Sequence, residues 1–156
     1  MGMLLGGAWL DNDATAREVA KDGKFQRSES QFRSWITADG SAGPTGEPGF
    51  AAEPGRYHLY LAHTCPWAHR VLIFRVIKGL DSAISVSMAQ PGRHKQGWTY
   101  ADNPDFPDWR PDHVNEFAHL HQAYTASKSD YTGKVTVPTL WDKQTDQVVN
   151  NESSEI

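Results

Sequence analysis

The sequence contains very little sulfur that could do chemistry: Cys65 is its one cysteine among 156 residues. A lone cysteine excludes an internal disulfide, and in a reducing compartment it is either a small core residue or a reactive group. No second cysteine is present for a zinc site, and the seven histidines follow no metal-ligand spacing. We therefore predict no metal, and the location of Cys65 becomes the central question.

The sequence also lacks a large excess of charge of either sign. The chain has 15 basic and 19 acidic residues, which gives a net charge of −4 without a basic block. A nucleic-acid-binding surface is ordinarily basic, so nucleic acid is not an expected partner. The apolar opening, residues 3–10, is short, broken by glycines and preceded by no positive region, so it predicts neither a signal peptide nor a membrane span. We expect no membrane partner and a cytoplasmic location.

The length and the 38% hydrophobic content suit one domain with a sizeable core. Residues 1–54 are polar and glycine-rich and lack a sustained apolar period, so they predict an extended N-terminal arm. Within that arm we expect Phe32, Trp35 and Ile36 to be the anchors. Residues 55–156 form the predicted domain.

The pattern of residues 55–156 alternates strands with helices. In chain order it predicts a strand over 56–62, a helix over 67–78, a strand over 83–88, an irregular stretch over 90–111, a helix over 112–126 capped by Asp112, strands over 134–141 and 147–149, and a helix that begins near Glu152. The first two strands are joined through a helix and should be parallel, while the last two should form a hairpin. This order predicts an α/β fold with a mixed sheet, the thioredoxin-like layout.

Cys65 lies where the first strand gives way to the first helix. The unpaired N–H groups and the dipole of a helix N-terminus favour negative charge, so we expect a stabilised thiolate. His69 and Arg70, one turn further on, would add positive potential. The alternative is an inert buried cysteine beside an ordinary solvated helix face, and for His69 alone we prefer the solvated interpretation.

No second sulfur of the chain can resolve a disulfide formed at Cys65. Dithiol proteins of this fold carry Cys-x-x-Cys, whereas the fourth position here is Ala68. The resolving thiol must then come from solution. Glutathione is the simplest candidate.

Two further segments suit a small peptide ligand. Val137-Pro138 precedes a strand, the arrangement in which a cis bond presents the preceding N–H and C=O, so Val137 would pair with the cysteinyl part of glutathione. A proline that merely begins a strand is an equal alternative. At the next helix start, Ser153 can hold a carboxylate and Glu152 an ammonium group, the two charges of a γ-glutamyl end. Taken by itself, that second pattern is better explained by a plain helix cap by Asn151, with acidic residues favoured in the first turn.

Four runs together resemble the Xi-class glutathione transferases, the glutathionyl-hydroquinone reductases. They are Thr64-Cys-Pro-Trp-Ala-His-Arg70, Gly55-Arg-Tyr-His-Leu-Tyr60, Val137-Pro-Thr-Leu-Trp-Asp142 and Asn151-Glu-Ser-Ser-Glu155. The likeness extends from about residue 25 to the end of the chain, and each run alone is shared with omega-class transferases. The resemblance implies glutathione as co-substrate, held by Trp98, Val137, Pro138, Glu152 and Ser153, with Cys65 as the nucleophile.

The resemblance also implies a reaction and partners. Cys65 would reduce glutathionyl-hydroquinones to hydroquinones through a Cys65-glutathione mixed disulfide and release oxidised glutathione. The full-length protein would be a homodimer. The family continues into an all-helical domain that lines the quinone pocket, and we expect that domain to be missing from this chain. Relatives place a cation near the end of the second helix for the glycyl carboxylate, where this chain offers Lys128.

Two other interpretations stay open. An omega-like thiol transferase or dehydroascorbate reductase would use the same cysteine on a different acceptor. A non-catalytic fragment would bind glutathione or a partner chain without turnover.

Overall fold

The computed structural model describes residues 2–11, 28–92, 94–106 and 109–156. Its elements in chain order are β1 (Met3–Leu5), β2 (Ala8–Leu10), β3 (Ile36–Thr37), β4 (Phe50–Ala51), β5 (Tyr57–Leu61), α1 (Pro66–Ile77), β6 (Ile84–Met88), α2 (Leu120–Ser127), β7 (Gly133–Lys134), β8 (Thr139–Asp142) and β9 (Gln147–Asn150). Within these ranges, no helix has the length and apolar character needed to cross a bilayer.

The central sheet has four strands in the order β6-β5-β8-β9. β5 and β6 are parallel, and β8 runs antiparallel to both β5 and β9. Every residue of β5 and β8 is buried, because these two strands lie in the middle of the sheet with elements packed on both faces. The predicted mixed sheet of the thioredoxin-like layout is confirmed.

Helix α1 follows the predicted boundaries closely. Cys65 precedes it in an extended conformation, and Pro66 occupies the first turn, where its missing N–H needs no partner. Gly79 ends the helix with a φ of 66°, a left-handed conformation that suits glycine. The start of α1 is therefore fixed by local sequence.

The predicted helix over 112–126 is wrong in its first half, since α2 begins only at Leu120. The Asp112 carboxylate does cap a turn, but that turn is isolated. The Asp112 carboxylate accepts hydrogen bonds from the backbone N–H groups of Val114, Asn115 and Phe117. Glu116 then adopts a φ of 57°, which breaks the helical path. His119, paired reciprocally with Gln122 in a capping box, starts α2 instead.

The predicted strand over 134–141 is divided into two. Gly133 and Lys134 pair with β1, while residues 139–142 join the central sheet as β8. The cis peptide bond between Val137 and Pro138 lies between the two parts. The helix predicted from Glu152 is a single turn in the structure, in which the N–H groups of Glu155 and Ile156 donate to the Glu152 carbonyl.

Strand pairing and aromatic packing are among the contacts that tie the N-terminal segment to the rest of the chain. β1 forms a hairpin with β2 and pairs with β7, and Leu4 is completely buried. Phe32 packs against Tyr124 and Tyr131, with ring centroids 5.5 Å away in each case. Leu4 is thus an anchor that we did not predict. The division into an arm over 1–54 and a domain over 55–156 stays a prediction.

Candidate active site

Cys65 occupies the N-cap position of α1 and is partly buried. Its N–H donates to the Ala62 carbonyl at 3.1 Å, and its carbonyl accepts from the His69 N–H at 3.0 Å. Its Sγ lies 3.5 Å from the Val137 carbonyl oxygen. The strand-to-helix location predicted for this thiol is therefore what the structure shows.

A cleft of about 170 Å³ opens at this sulfur, and we call it the thiol cleft. Five of the predicted site residues line it, namely Cys65, Trp98, Val137, Pro138 and Ser153. Residues that are distant in sequence are brought together here because the N-terminal end of α1, the loop before β8 and the turn after β9 meet at this cleft. Trp109, the other tryptophan of the irregular stretch, instead packs against His63 at 5.3 Å.

Ser153 and Val137 both present free polar groups. Within the described ranges, neither the N–H nor the hydroxyl of Ser153 has a hydrogen-bond partner, and the Val137 N–H has none either. Both residues line the thiol cleft. A peptide ligand with a carboxylate and a backbone carbonyl would satisfy these groups without displacing any hydrogen bond that they make in the structure.

Glu152 lies beside the cleft and already has partners. Its carboxylate accepts from the hydroxyls of Ser30, at 3.1 Å, and Ser154, at 3.2 Å. The Glu152 N–H donates to the Asn150 side-chain oxygen at 2.7 Å. The cap that we had assigned to Asn151 as an alternative is therefore made by Asn150, and the Asn151 side chain is buried.

A buried tyrosine that sequence reasoning missed supports the cleft. The Tyr124 hydroxyl accepts from the Thr136 N–H at 3.2 Å and from the Asn151 side-chain amide at 3.1 Å. Thr136 and Asn151 both line the thiol cleft, so this hydroxyl ties two of its walls to α2. The sequence pattern placed Tyr124 on the apolar face of a helix and gave no signal for its hydroxyl.

Two features of α1 bear on the charge around Cys65. No acidic side chain lies in the first turn of α1, so the positive end of its dipole is not offset there. The Arg70 guanidinium lies over the Trp67 ring at 4.8 Å, and Trp67 lines the thiol cleft. In the described part of the chain, no three histidine, cysteine or acidic side chains are gathered to hold a metal ion.

Lys128 is not brought together with these residues. It lies exposed at the C-terminal end of α2, where its N–H donates to the Tyr124 carbonyl at 2.9 Å. It does not line the thiol cleft. Its contact with the glycyl carboxylate of glutathione stays a prediction.

Comparison with known proteins identifies the family. Residues 64–156 match the family described as Glutathione S-transferase, N-terminal domain. Over its whole length the chain is 49% identical to the glutathionyl-hydroquinone reductase YqjG of Escherichia coli K12, of which it covers 46%. It is 46% identical to the glutathionyl-hydroquinone reductase PcpF of Sphingobium chlorophenolicum, of which it covers 45%. The chain thus spans less than half the length of these curated relatives.

A solved structure agrees with these matches. The glutathione-bound structure of YqjG from Escherichia coli K-12 aligns with a TM-score of 0.80 and 43% identity, over 97% of this chain and 42% of that one. The resemblance to Xi-class enzymes is confirmed by these relatives. Because the family match covers more than half of the chain and the fold agrees with it, this chain belongs to the glutathione S-transferase family.

Proposed function

We propose that this chain is the glutathione-binding, thiol-bearing part of a glutathionyl-hydroquinone reductase, with Cys65 as its nucleophile. The observation that carries the proposal is the thiol cleft, where Cys65, Val137 and Ser153 meet although up to 88 positions separate them. Two relatives that share nearly half of their aligned residues with this chain are named as enzymes of this kind.

Glutathione would bind as an added strand. Its cysteinyl part would pair with the N–H and C=O of Val137, which precede Pro138. Its γ-glutamyl carboxylate would accept from the N–H and hydroxyl of Ser153, and its ammonium group would lie near the Glu152 carboxylate. Trp98 would cover the bound peptide from the side. This orientation places the cysteinyl sulfur of the ligand beside Cys65.

The first displacement breaks a carbon–sulfur bond. The Cys65 thiolate attacks the sulfur of the glutathionyl-hydroquinone, and a Cys65-glutathione disulfide forms. The electron pair of the broken bond goes to the ring carbon, which takes up a proton, and the hydroquinone leaves. The substrate is reduced by two electrons, and the two sulfurs are oxidised to the disulfide.

The second displacement restores the enzyme. The thiolate of a second glutathione attacks the sulfur of the bound glutathione, oxidised glutathione leaves, and Cys65 returns as a thiolate. No other cysteine exists in the chain to do this, so the second glutathione is required. We further propose that the protein acts in the cytoplasm, since an unpaired thiol of this kind needs a reducing compartment. The resemblance to Xi-class transferases leads us to propose that the full-length protein is a homodimer.

The test is intact mass after treatment with oxidised glutathione. We expect one glutathionyl adduct that maps to Cys65, and none on Cys65→Ser. The matched control combines Cys65→Ser with Ser82→Cys, which moves the single thiol to an exposed turn between α1 and β6. If that control reacts as fast as the parent chain, the cleft confers no reactivity and the proposal fails.

The substrate is tested by comparing acceptors. Turnover of a glutathionyl-hydroquinone should exceed that of dehydroascorbate, and Cys65→Ser should abolish both. Dominance of dehydroascorbate would favour an omega-like enzyme. If activity is unchanged in Cys65→Ser, Cys65 is not the catalytic residue. The chain would then be a non-catalytic module that binds glutathione or a partner chain.

A further inference from the structure

A short stretch of the N-terminal segment runs along the end of β9. Arg33 pairs with Asn150 in the antiparallel sense. Backbone hydrogen bonds of 3.1 Å flank this pair, from Ser34 to Val149 and from Asn151 to Phe32. We call residues 30–34 the arm segment, and we call residues 150–155, which follow directly in β9 and beyond it, the Ser153 turn.

An ion pair joins the arm segment to the far end of the Ser153 turn. The Nε and Nη2 atoms of Arg33 donate to the two carboxylate oxygens of Glu155, a bidentate arrangement that fixes the direction as well as the distance of the contact. The Glu155 side chain is only 12% exposed, so water and salt screen this pair less than a pair on the surface. The pair therefore fixes where the turn ends.

Asn150 fixes the start of the Ser153 turn and depends on the same segment. Its side chain is buried, and its amide group donates to the Ser34 carbonyl at 3.0 Å and to the Glu155 carboxylate at 3.2 Å. Its side-chain oxygen accepts from the Glu152 N–H at 2.7 Å. A helical turn cannot satisfy its own first N–H groups, so such a side-chain contact sets their direction. The contacts at both ends of the turn thus run through the arm segment.

Ser30 reaches the carboxylate that would receive the ammonium group of glutathione. The Ser30 hydroxyl lies 3.1 Å from a Glu152 carboxylate oxygen and 3.4 Å from the Asn151 carbonyl oxygen. Neither Ser30 nor Arg33 lines the thiol cleft. Any effect of these two residues on a ligand in the cleft therefore passes through the Ser153 turn.

We propose that the arm segment is part of the glutathione site, with Arg33 and Ser30 as positioning residues for the γ-glutamyl end. This proposal rests on the proposed function, in which Ser153 and Glu152 hold that end. Ser153 presents its N–H and hydroxyl to the thiol cleft in the conformation that the arm segment stabilises. Ser30 holds the Glu152 carboxylate in the same way.

The loss of Arg33 shows how the effect would reach the ligand. Glu155 would become a mostly buried carboxylate without the guanidinium that pairs with it, which favours movement of this side chain into solvent. That movement takes one acceptor from the Asn150 amide. The Ser153 turn then relaxes at both of its ends, and the donors of Ser153 lose their alignment with the cleft.

The test measures formation of the Cys65 adduct with two disulfides. The disulfide of cysteinylglycine differs from oxidised glutathione in lacking both γ-glutamyl groups. Intact mass of the full chain gives a second-order rate constant for each reagent. The ratio of the two constants, divided by the ratio for the exposed thiol of the Cys65→Ser, Ser82→Cys chain, measures the preference that the γ-glutamyl end confers.

Arg33→Gln is expected to lower this preference roughly 3- to 10-fold, as for the net loss of one typical hydrogen bond to the ligand. Arg33→Lys should restore part of it, because lysine keeps the charge but not the bidentate contact. Glu155→Gln should match Arg33→Gln, and the double variant should lose no more, because both changes break the same contact.

Arg75→Gln is the matched control, since it breaks the ion pair between Arg75 and Asp81 near the C-terminal end of α1. Its preference should equal that of the parent chain. Ser30→Ala leaves the Arg33 ion pair intact and should lower the preference roughly 2- to 3-fold. It decides the question should Arg33→Gln fail to fold.

Two results overturn the inference while leaving the proposed function in place. One is a preference that is unchanged in Arg33→Gln, and the other is an equal fall of both rate constants, which indicates a purely structural role. A parent chain that forms no Cys65 adduct, or that shows no preference for oxidised glutathione, overturns the proposed function together with this inference.

Discussion

The sulfur of Cys65 lies 3.5 Å from the carbonyl oxygen of Val137, in position for the thiol to donate a hydrogen bond to it. The same carbonyl is an acceptor that a bound glutathione strand would use. A carbonyl oxygen has two lone pairs, so it can accept from the ligand N–H while Cys65 stays beside it. The contact therefore holds Cys65, the proposed nucleophile, next to the position that the cysteinyl sulfur of glutathione would occupy.

Ser153→Ala is predicted to weaken binding of the γ-glutamyl end. The variant loses the hydroxyl but keeps the backbone N–H, so the dissociation constant for glutathione should rise roughly 3- to 10-fold, as for the net loss of one typical hydrogen bond. Titration calorimetry checks this, with Ser82→Ala on an exposed turn as the matched control. Cysteinylglycine, which lacks the γ-glutamyl group, should bind both variants equally. A Ser153→Ala chain that binds glutathione as tightly as Ser82→Ala would remove Ser153 from the site.

Tyr124→Phe is predicted to destabilise the fold by about 2 kcal/mol, because it leaves the Thr136 N–H and the Asn151 amide short of an acceptor in the interior. Tyr131→Phe is the matched control, since the Tyr131 hydroxyl donates to the Lys134 carbonyl at 3.1 Å and accepts no hydrogen bond from the described residues. That variant should lose about 1 kcal/mol. Urea unfolding of the two variants gives the comparison. Equal losses would show that the Tyr124 hydroxyl is no more than an ordinary buried donor.

Arg56→Met is predicted to cost about 3 kcal/mol, because it leaves a buried carboxylate without its cation. The Arg56 guanidinium makes two 2.7 Å hydrogen bonds to Asp142, whose side chain is 0% exposed. Burial raises the pKa of Asp142, but hydrogen bonds from Arg56 and Thr145 outweigh it and hold the pKa below its ordinary value. Glu53→Gln, which alters only the exposed partner of Arg56, should cost far less in the same unfolding measurement. Similar costs for the two variants would contradict this account.

The parts of the site that the sequence predicted are those set by local chemistry. Cys65 could be assigned to a helix start because β5, Pro66 and the apolar face of α1 are contiguous in the chain. For Val137 and Pro138 the sequence alone left two interpretations equally open, a cis bond that presents backbone groups to a ligand and a proline that merely begins a strand. The resemblance to a known family then supplied Trp98, whose residue type alone does not distinguish a ligand contact from a core residue.

The parts that were missed depend on contacts across long stretches of chain. Ser30 donates to Glu152, and Trp9 donates to Lys95, over separations of 122 and 86 residues. No periodicity encodes such pairs, because they follow from how the arm docks on the folded domain. The error at residues 112–119 has a different cause: the apolar spacing there is helical, but Asp112 draws three backbone N–H groups into one tight turn.

Folding stability is predicted to fall as the pH drops through the titration range of His58. Burial lowers the pKa of His58 to about 4, from an ordinary value of 6.5, with its ring nitrogens 2.7 Å from Ser85 and 3.0 Å from Ser87. Between these two pH values the unfolded chain binds more protons, so the free energy of unfolding decreases by about 3 kcal/mol in total as the pH falls. Urea unfolding across this interval should show a shallower decline in His58→Gln than in the parent chain. His69→Gln, on the exposed face of α1, should follow the parent, and a decline that is just as steep in His58→Gln would assign the acid sensitivity to other groups.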